Sequence, residues 1–348
     1  MTWYLTWSSI LTCLFLAGRV VSGTTTNLPT SNLRNGCDPP FTPVGGRCLA
    51  VENIVAGTWE DMRTVCQDMN SDLVVLQDAN FLSSIFQHLQ DTGHTDVSYW
   101  VGATDLQQEG KWEWIKTSSK IHMNTPLWGD LFYPDGVQQP TGGLEENCAI
   151  LRWDDSFYMH DTSCTERHSL MCEKPASRSE VKAPRLLGSS NSSNGSNSSN
   201  SSNRTVELVC PPPYMPLGER CLFIDTVGTG TWTERKSLCE QLVGQMVKID
   251  DANLLGAIYD YMQEREITGV NFWVGGVDEG HEGDWRWLDN SKVTLGTPFW
   301  GNFGMGQQEP GGGDAQNCAA LNSKEHFLMH DYDCFNIGSM MFGVICQQ

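Results

Sequence analysis

Thirteen cysteines are the residues with the most chemistry to offer in this chain of 348 residues. Thiolates bind soft metals, act as nucleophiles or pair as disulfides, and spacing helps to separate these uses. No Cys-x-x-Cys pair, no His-Glu-x-x-His and no Cys/His cluster at zinc spacing occurs in the sequence. Disulfides in an oxidising compartment are therefore the better account. Other catalytic signatures are missing too: there is no Gly-x-Ser-x-Gly elbow, and the eight His do not pair locally with a nucleophile. The run Gly311 to Gly313 lacks the Lys-Ser/Thr that a phosphate loop needs. The chain reads as a binding protein, not an enzyme.

Charge narrows the partners. With 22 Lys+Arg against 42 Asp+Glu the formal charge is −20, and long-range repulsion opposes both nucleic acid and anionic lipid. The composition, 39% apolar, is globular and the length allows two domains of ordinary size.

The ends and the middle define the layout. Ile10 to Ala17 is a short apolar run followed by small residues at Ser22 and Gly23, which reads as a signal peptide over residues 1–23. The run is shorter than the roughly 20 apolar residues that span a bilayer, and no later stretch is long enough, so membrane insertion is not expected. Cys13 falls inside the signal and leaves twelve Cys, an even number. A segment over 24–36 follows. Residues 173–209 hold a Ser/Asn tract that cannot build a core. Five Asn-x-Ser/Thr sequons lie in it, at Asn191, Asn194, Asn197, Asn200 and Asn203. The expected product is an N-glycosylated linker in a secreted, extracellular protein.

The flanks of the linker are copies of one another. A shift of 173 carries Cys37 to Cys210, Cys48 to Cys221, Trp59 to Trp232 and Cys66 to Cys239. It also carries Asp78-Ala79-Asn80 to Asp251-Ala252-Asn253 and Trp100-Val101-Gly102 to Trp273-Val274-Gly275. The offset then slips to 172 at Trp128/Trp300, 170 at Cys148/Cys318 and 174 at Cys172/Cys346. A constant offset means a shared frame, and slips mean loops of unequal length. Residues 37–172 and 210–346 are thus two domains from a tandem duplication.

Two helical signatures open each copy. Thr231 with Glu234 fits a capping box, and Thr58 with Asp61 is its counterpart. Phe81, Leu82, Ile85, Phe86 and Leu89 form a helical stripe, matched by Leu254, Leu255, Ile258, Tyr259 and Met262. Aromatic and β-branched runs such as Tyr99-Trp100-Val101 and Phe342-Gly343-Val344-Ile345 read as strands. The class is α+β, with helices first and a loop-rich antiparallel part after. Six Cys per copy allow 15 connectivities, and spacing does not choose among them.

The order of these landmarks, with a Pro-containing triplet in a long loop before the fourth Cys of each copy, resembles the C-type lectin-like domain. The resemblance covers both copies. It implies two helices, antiparallel strands, a long loop region and three disulfides per domain. The implied bridges are Cys37–Cys48, Cys66–Cys172, Cys148–Cys164, Cys210–Cys221, Cys239–Cys346 and Cys318–Cys334. It places Trp100 and Trp273 in a buried core motif.

Lectins of this family hold sugar hydroxyls through Ca²⁺, a hard ion that takes 6–8 oxygen ligands. The resemblance assigns carbohydrate binding in the first copy to Gln139-Pro140-Thr141, Glu146, His160 and Asp161. In the second it assigns Glu309-Pro310-Gly311, Gln316, His330 and Asp331. Gln139 suits a galactose-type triplet, though Thr141 replaces a carboxylate. Glu309 suits a mannose-type triplet, though Gly311 has no side chain and Gln316 offers an amide. His160 and His330 stand where the family has Asn, and imidazole is a poor ligand for a hard cation. The alternative for each His is an exposed loop position. The metal ligands left are Glu146, Asp161, Glu309 and Asp331, two acids per copy, which implies weak Ca²⁺ binding toward the millimolar end. Phe132, Tyr133 and Phe303 are loop aromatics able to stack on sugars, although core packing is the commoner fate of such rings.

The expected function is a secreted, calcium-dependent carbohydrate-binding lectin for microbial surface glycans, as in similar innate-immune lectins. It would agglutinate through two sites, galactose-like in the first domain and mannose-like in the second. A flexible linker would give the pair avidity. The alternative is a calcium-independent C-type lectin-like protein that binds proteins.

Overall fold

A computed structural model describes residues 36–123, 125–131, 137–175, 208–302, 307–335 and 337–348. The expected signal peptide, the Ser/Asn tract with its sequons, and Phe132, Tyr133 and Phe303 lie outside the described residues.

The first copy runs β1 (Thr42–Val44), β2 (Arg47–Gly57), α1 (Trp59–Asp68), β3 (Asp72–Leu73), α2 (Asn80–Thr92), β4 (Tyr99–Thr104) and β5 (Glu113–Trp114). It continues through β6 (Asp130–Leu131), β7 (Val137–Gln138), β8 (Cys148–Arg152), β9 (Tyr158–Thr162) and β10 (His168–Pro175). The second copy begins with β11 (Met215–Leu217), β12 (Arg220–Asp225), α3 (Trp232–Gln241), β13 (Gln245–Met246) and α4 (Ala252–Glu264). Then come β14 (Val270–Val277), β15 (Arg286–Trp287), β16 (Cys318–Asn322), β17 (Leu328–Tyr332) and β18 (Met341–Gln347).

Each helix begins where the residue chemistry puts it. Thr58 and Thr231 close capping boxes with Asp61 and Glu234, so α1 and α3 start one residue later. The stripe on α2 is buried from Phe81 to Leu89, as is that on α4 from Leu254 to Met262. The helices lie against sheets ordered β1-β2-β10-β4-β8-β9 and β11-β12-β18-β14-β16-β17. Most pairs are antiparallel as expected, but β10 meets β4, and β18 meets β14, in parallel. Terminal strands close back onto the sheet centre in this way, each tied by a bridge to its first helix (Cys66–Cys172 and Cys239–Cys346). The other four bridges are Cys37–Cys48, Cys148–Cys164, Cys210–Cys221 and Cys318–Cys334, giving three per copy.

Tryptophans lock the frame. Trp100 and Trp273 are fully buried, and their indoles donate to Gly57 O at 2.8 Å and Gly230 O at 2.9 Å. A buried indole N–H without an acceptor would be costly, and these two acceptors lie just ahead of the helix caps. Trp112 meets Trp128 edge-on at 5.0 Å, and Trp285 meets Trp300 at 5.1 Å.

The two copies belong to one compact unit, Gly36–Gln348. A single apolar cluster runs through both and includes Phe86 and Phe157 of the first and Tyr259 and Phe327 of the second. Several of the polar contacts between them come in reciprocal pairs. Asn80 Nδ2 donates to Asp251 at 2.9 Å while Asn253 Nδ2 donates to Asp78 at 3.0 Å. Ala79 N–H donates to Asn253 Oδ1, and Ala252 N–H to Asn80 Oδ1. Thr125 Oγ1 reaches His326 O at 2.8 Å, and Thr297 Oγ1 reaches Ser156 O at 2.5 Å. Such i-to-j and j-to-i pairing is the signature of a two-fold interface, here formed within one chain. The close approach also constrains residue size: a Cβ on Gly296 would overlap the Phe86 ring of the other copy.

Candidate functional site

In the first copy the triplet follows β7, with a cis bond between Gln139 and Pro140. Gln139 is 2% exposed, and its amide donates to Thr141 Oγ1 at 3.1 Å. Asp161, on β9, accepts the N–H of Thr141 at 3.0 and 2.9 Å on its two oxygens and that of Gly142 at 2.7 Å. Glu146 follows a short 3-10 turn and folds over Gly142, where a Cβ would collide with it. Burial raises the Glu146 pKa above the ordinary carboxylate value, and Asp161 adds to the rise. Asp105 is raised by burial and by Asp161, and Glu109 by desolvation, Asp105 and Asp161 in that order. Four carboxylates thus repel one another in one neighbourhood.

His160 is not an exposed loop residue. It lies on β9, is 1% exposed, and its Nε2 meets Asp155 Oδ2 at 2.6 Å. Its Nδ1 is buried and has no hydrogen-bond partner. His160 lines a polar cleft of about 380 Å³ with Gln139, Glu146, Arg152, Trp153 and Asp161. Trp153 stands half exposed at 49%, and Arg152 is held by Asp154 at 2.6 Å.

The second copy repeats the frame but changes the partners. Glu309–Pro310 is cis. Glu309 Oε1 meets His330 Nδ1 at 2.8 Å, and His330 Nε2 pairs with Glu325 Oε2. His330 is 3% exposed, on β17, and so is also a core position. Burial alone would lower its pKa, but the two carboxylates raise it to about 9. It is an imidazolium clamped between acids. Asp331 accepts Gly312 N–H at 2.8 Å; burial and its hydrogen bond with Glu309 raise it to about 7. The Gln316 side chain packs over Gly312, as Glu146 does over Gly142.

Calcium fits the two copies differently. Among the described residues no three His, Cys, Asp or Glu side chains converge to hold a metal ion as they stand. In the first copy the crowded, mutually repelling carboxylates of Glu146 and Asp161 are a setting that a cation would relieve. In the second, Glu309 is engaged by His330 and Asp331, and the positive charge there belongs to the protein. The expected metal ligands Glu309 and Asp331 fit the ion poorly, because the buried imidazolium of His330 already neutralises Glu309 and Asp331 is bonded to Glu309 and to Gly312 N–H.

Sequence reading missed Asp155 and Glu325, each five residues before the His of Met-His-Asp. A signal existed: Trp128-Gly129 and Trp300-Gly301 recur at equivalent positions. A Cβ on Gly129 would strike Asp155 and His160, and one on Gly301 would strike His330 and Glu325. The glycines clear the space in which each His–acid pair sits. Arg152 and Trp153 were missed because their counterparts, Asn322 and Ser323, share no chemistry with them.

Comparison with known proteins agrees with this geometry. The model of the C-type lectin domain matches residues 55–174 and 229–348. Human C-type mannose receptor 2 is 23% identical over 239 residues, covering 68% of this chain and 14% of the receptor. A perlucin-like protein of Mytilus galloprovincialis is 26% identical over 142 residues, covering 41% of this chain and 85% of that protein. The chain therefore spans about a seventh of the receptor's length. Among solved structures, a mouse scavenger receptor C-type lectin carbohydrate-recognition domain is 24% identical, with a TM-score of 0.32, over 40% of this chain and 96% of that one.

Proposed function

Because the chain belongs to the C-type lectin family through both of its copies, we propose that it is a carbohydrate-binding lectin whose working site is the first copy's cleft. Domains of this family bind glycans, and the family as a whole is non-enzymatic. The observation that carries the assignment is a polar cleft lined by His160, Gln139, Glu146 and Asp161 whose rim exposes Trp153. A sugar presents both faces that such a cleft needs. Its hydroxyls pair with imidazole, amide and carboxylate, and its apolar face stacks on an indole.

Calcium belongs to the first copy in this reading. Glu146 and Asp161 would hold the ion, which would supply a fixed positive charge for sugar hydroxyl oxygens. Two acids, one of them already bonded to backbone N–H groups, mean affinity at the weak, millimolar end. The galactose-type reading rests on Gln139, which lines the cleft. The mannose-type reading of the second copy is not retained, since Glu309 is bound to His330. Secretion accords with six disulfides. Extracellular glycans, those of microbial surfaces among them, are the proposed partners.

A glycan array probed with the full chain, with calcium and with EGTA, tests this. Signal that Glu146→Ala removes and Gln316→Ala leaves intact is expected. Calorimetric titration should show one weak calcium site. A second reading, calcium-independent protein binding, is favoured by the capture of Asp161 by backbone N–H groups. An array blank under both conditions selects it.

A further inference from the structure

We infer that Asn302, which belongs to the second copy, is a positioning residue for the first copy's cleft. The inference rests on the carbohydrate-binding reading of that cleft. Asp155 Oδ2 receives His160 Nε2 at 2.6 Å and the N–H of Asp130 at 3.2 Å. Its other oxygen, Oδ1, receives the amide of Asn302 at 2.6 Å, across the interface. An ionised carboxylate only accepts, so Asn302 must present its NH₂ and not its oxygen. Ser156 fixes that choice, since its hydroxyl lies 2.9 Å from Asn302 Oδ1 and donates to it.

The consequence reaches the cleft through the ring. With Asp155 held by three donors, Nε2 of His160 carries the hydrogen, and Nδ1 is left as an acceptor among the cleft residues. The tautomer and orientation of a ring that lines the cleft are therefore set by a residue of the other copy. Asn302 also faces the second copy's histidine: its N–H donates to Glu325 Oε1 at 2.5 Å, and Glu325 pairs with His330. One buried chain of hydrogen bonds thus runs from His160 through Asp155, Asn302 and Glu325 to His330. The corresponding position in the first copy is Asp130, whose carboxylate meets His326 Nε2 at 2.9 Å. An ionised acid side chain there has no hydrogen to give Glu325, the counterpart of Asp155, so the arrangement serves one cleft only.

The test uses the full chain with ¹⁵N-labelled histidine. In the native protein the His160 ring nitrogens should report hydrogen on Nε2 and a bare Nδ1. Asn302→Ala should shift the ring toward a mixture of tautomers and lower retention on the best array glycan by about tenfold, near 1.4 kcal/mol. Asn302→Gln, which keeps a donor amide, should recover part of both. Ser156→Ala disturbs packing less and should move the His160 signals in the same direction, so it decides the matter if Asn302→Ala misfolds. Unchanged His160 signals in a folded Asn302→Ala or in Ser156→Ala overturn the inference. If the native chain binds no glycan, the carbohydrate reading fails, while the tautomer shift still reports on positioning.

Discussion

The two copies hold the same histidine in the same place and use it differently. His160 has one acid, Asp155, and a buried second nitrogen without a hydrogen-bond partner; His330 has two, Glu325 and Glu309, one at each nitrogen. One residue makes most of the difference, because Gln139 stands where the second copy has Glu309. An amide leaves the ring available, whereas a carboxylate captures it and charges it. On the proposed reading, this one difference separates a binding copy from a supporting copy within a shared frame.

The largest expected effect lies in the supporting copy. Glu325→Ala leaves His330 charged, buried and half compensated, and should destabilise the chain by about 3–5 kcal/mol in denaturant unfolding. Glu146→Ala, at the rim of the other cleft, should stay within about 0.5 kcal/mol. Equal losses would mean that the two sites are not built differently.

The contrast next shows in pH. His330 is raised to about 9 from an ordinary value of 6.5, so its contribution to stability is full below 6.5 and lost as pH rises toward 9. Asp331, raised to about 7, acts with the same sign at lower pH, between 3.8 and 7. The thermal midpoint should therefore fall between pH 6.5 and 9, and the His330 ring should titrate near 9 by NMR. A flat midpoint with a ring already neutral at pH 7.5 would break the picture of an internal cation.

A smaller effect belongs to the rim of the working cleft. Trp153→Ala should weaken glycan retention by about 0.5–1.5 kcal/mol, the worth of an aromatic contact. Ser323→Ala, at the equivalent place in the other copy, should leave retention unchanged. The least effect falls on the seam where the copies agree. Asn80→Ala and Asn253→Ala should each cost about 1 kcal/mol. Their double mutant should depart from additivity, since Asp251 accepts from both side-chain amides. Strict additivity would show the reciprocal hydrogen bonds to be independent.

That seam also changes how the tandem works. A flexible linker suggests two sites held at a high effective concentration. The structure instead packs the copies through α2, α4 and a continuous apolar cluster, so the candidate sites share buried hydrogen bonds. The Asp-Ala-Asn repeat was visible in the sequence as a landmark of duplication. Its use, each motif bonding the other, was not, because self-complementarity is a property of two surfaces meeting.

The sequence by itself determined the duplication, the oxidised cysteines, the helix starts at Thr58 and Thr231, the buried stripes and the family. Those features follow from local rules: periodicity, capping and spacing act over a few residues or repeat at a fixed offset. Only the tertiary structure decided what the histidines do. Asp155 lies five residues from His160 in the chain, but the amide that holds it comes from residue 302, and Glu309 reaches His330 across 21 positions. Whether an imidazole is a ligand, an acceptor or an internal cation depends on which carboxylates surround it after burial, and burial is a property of the folded pair.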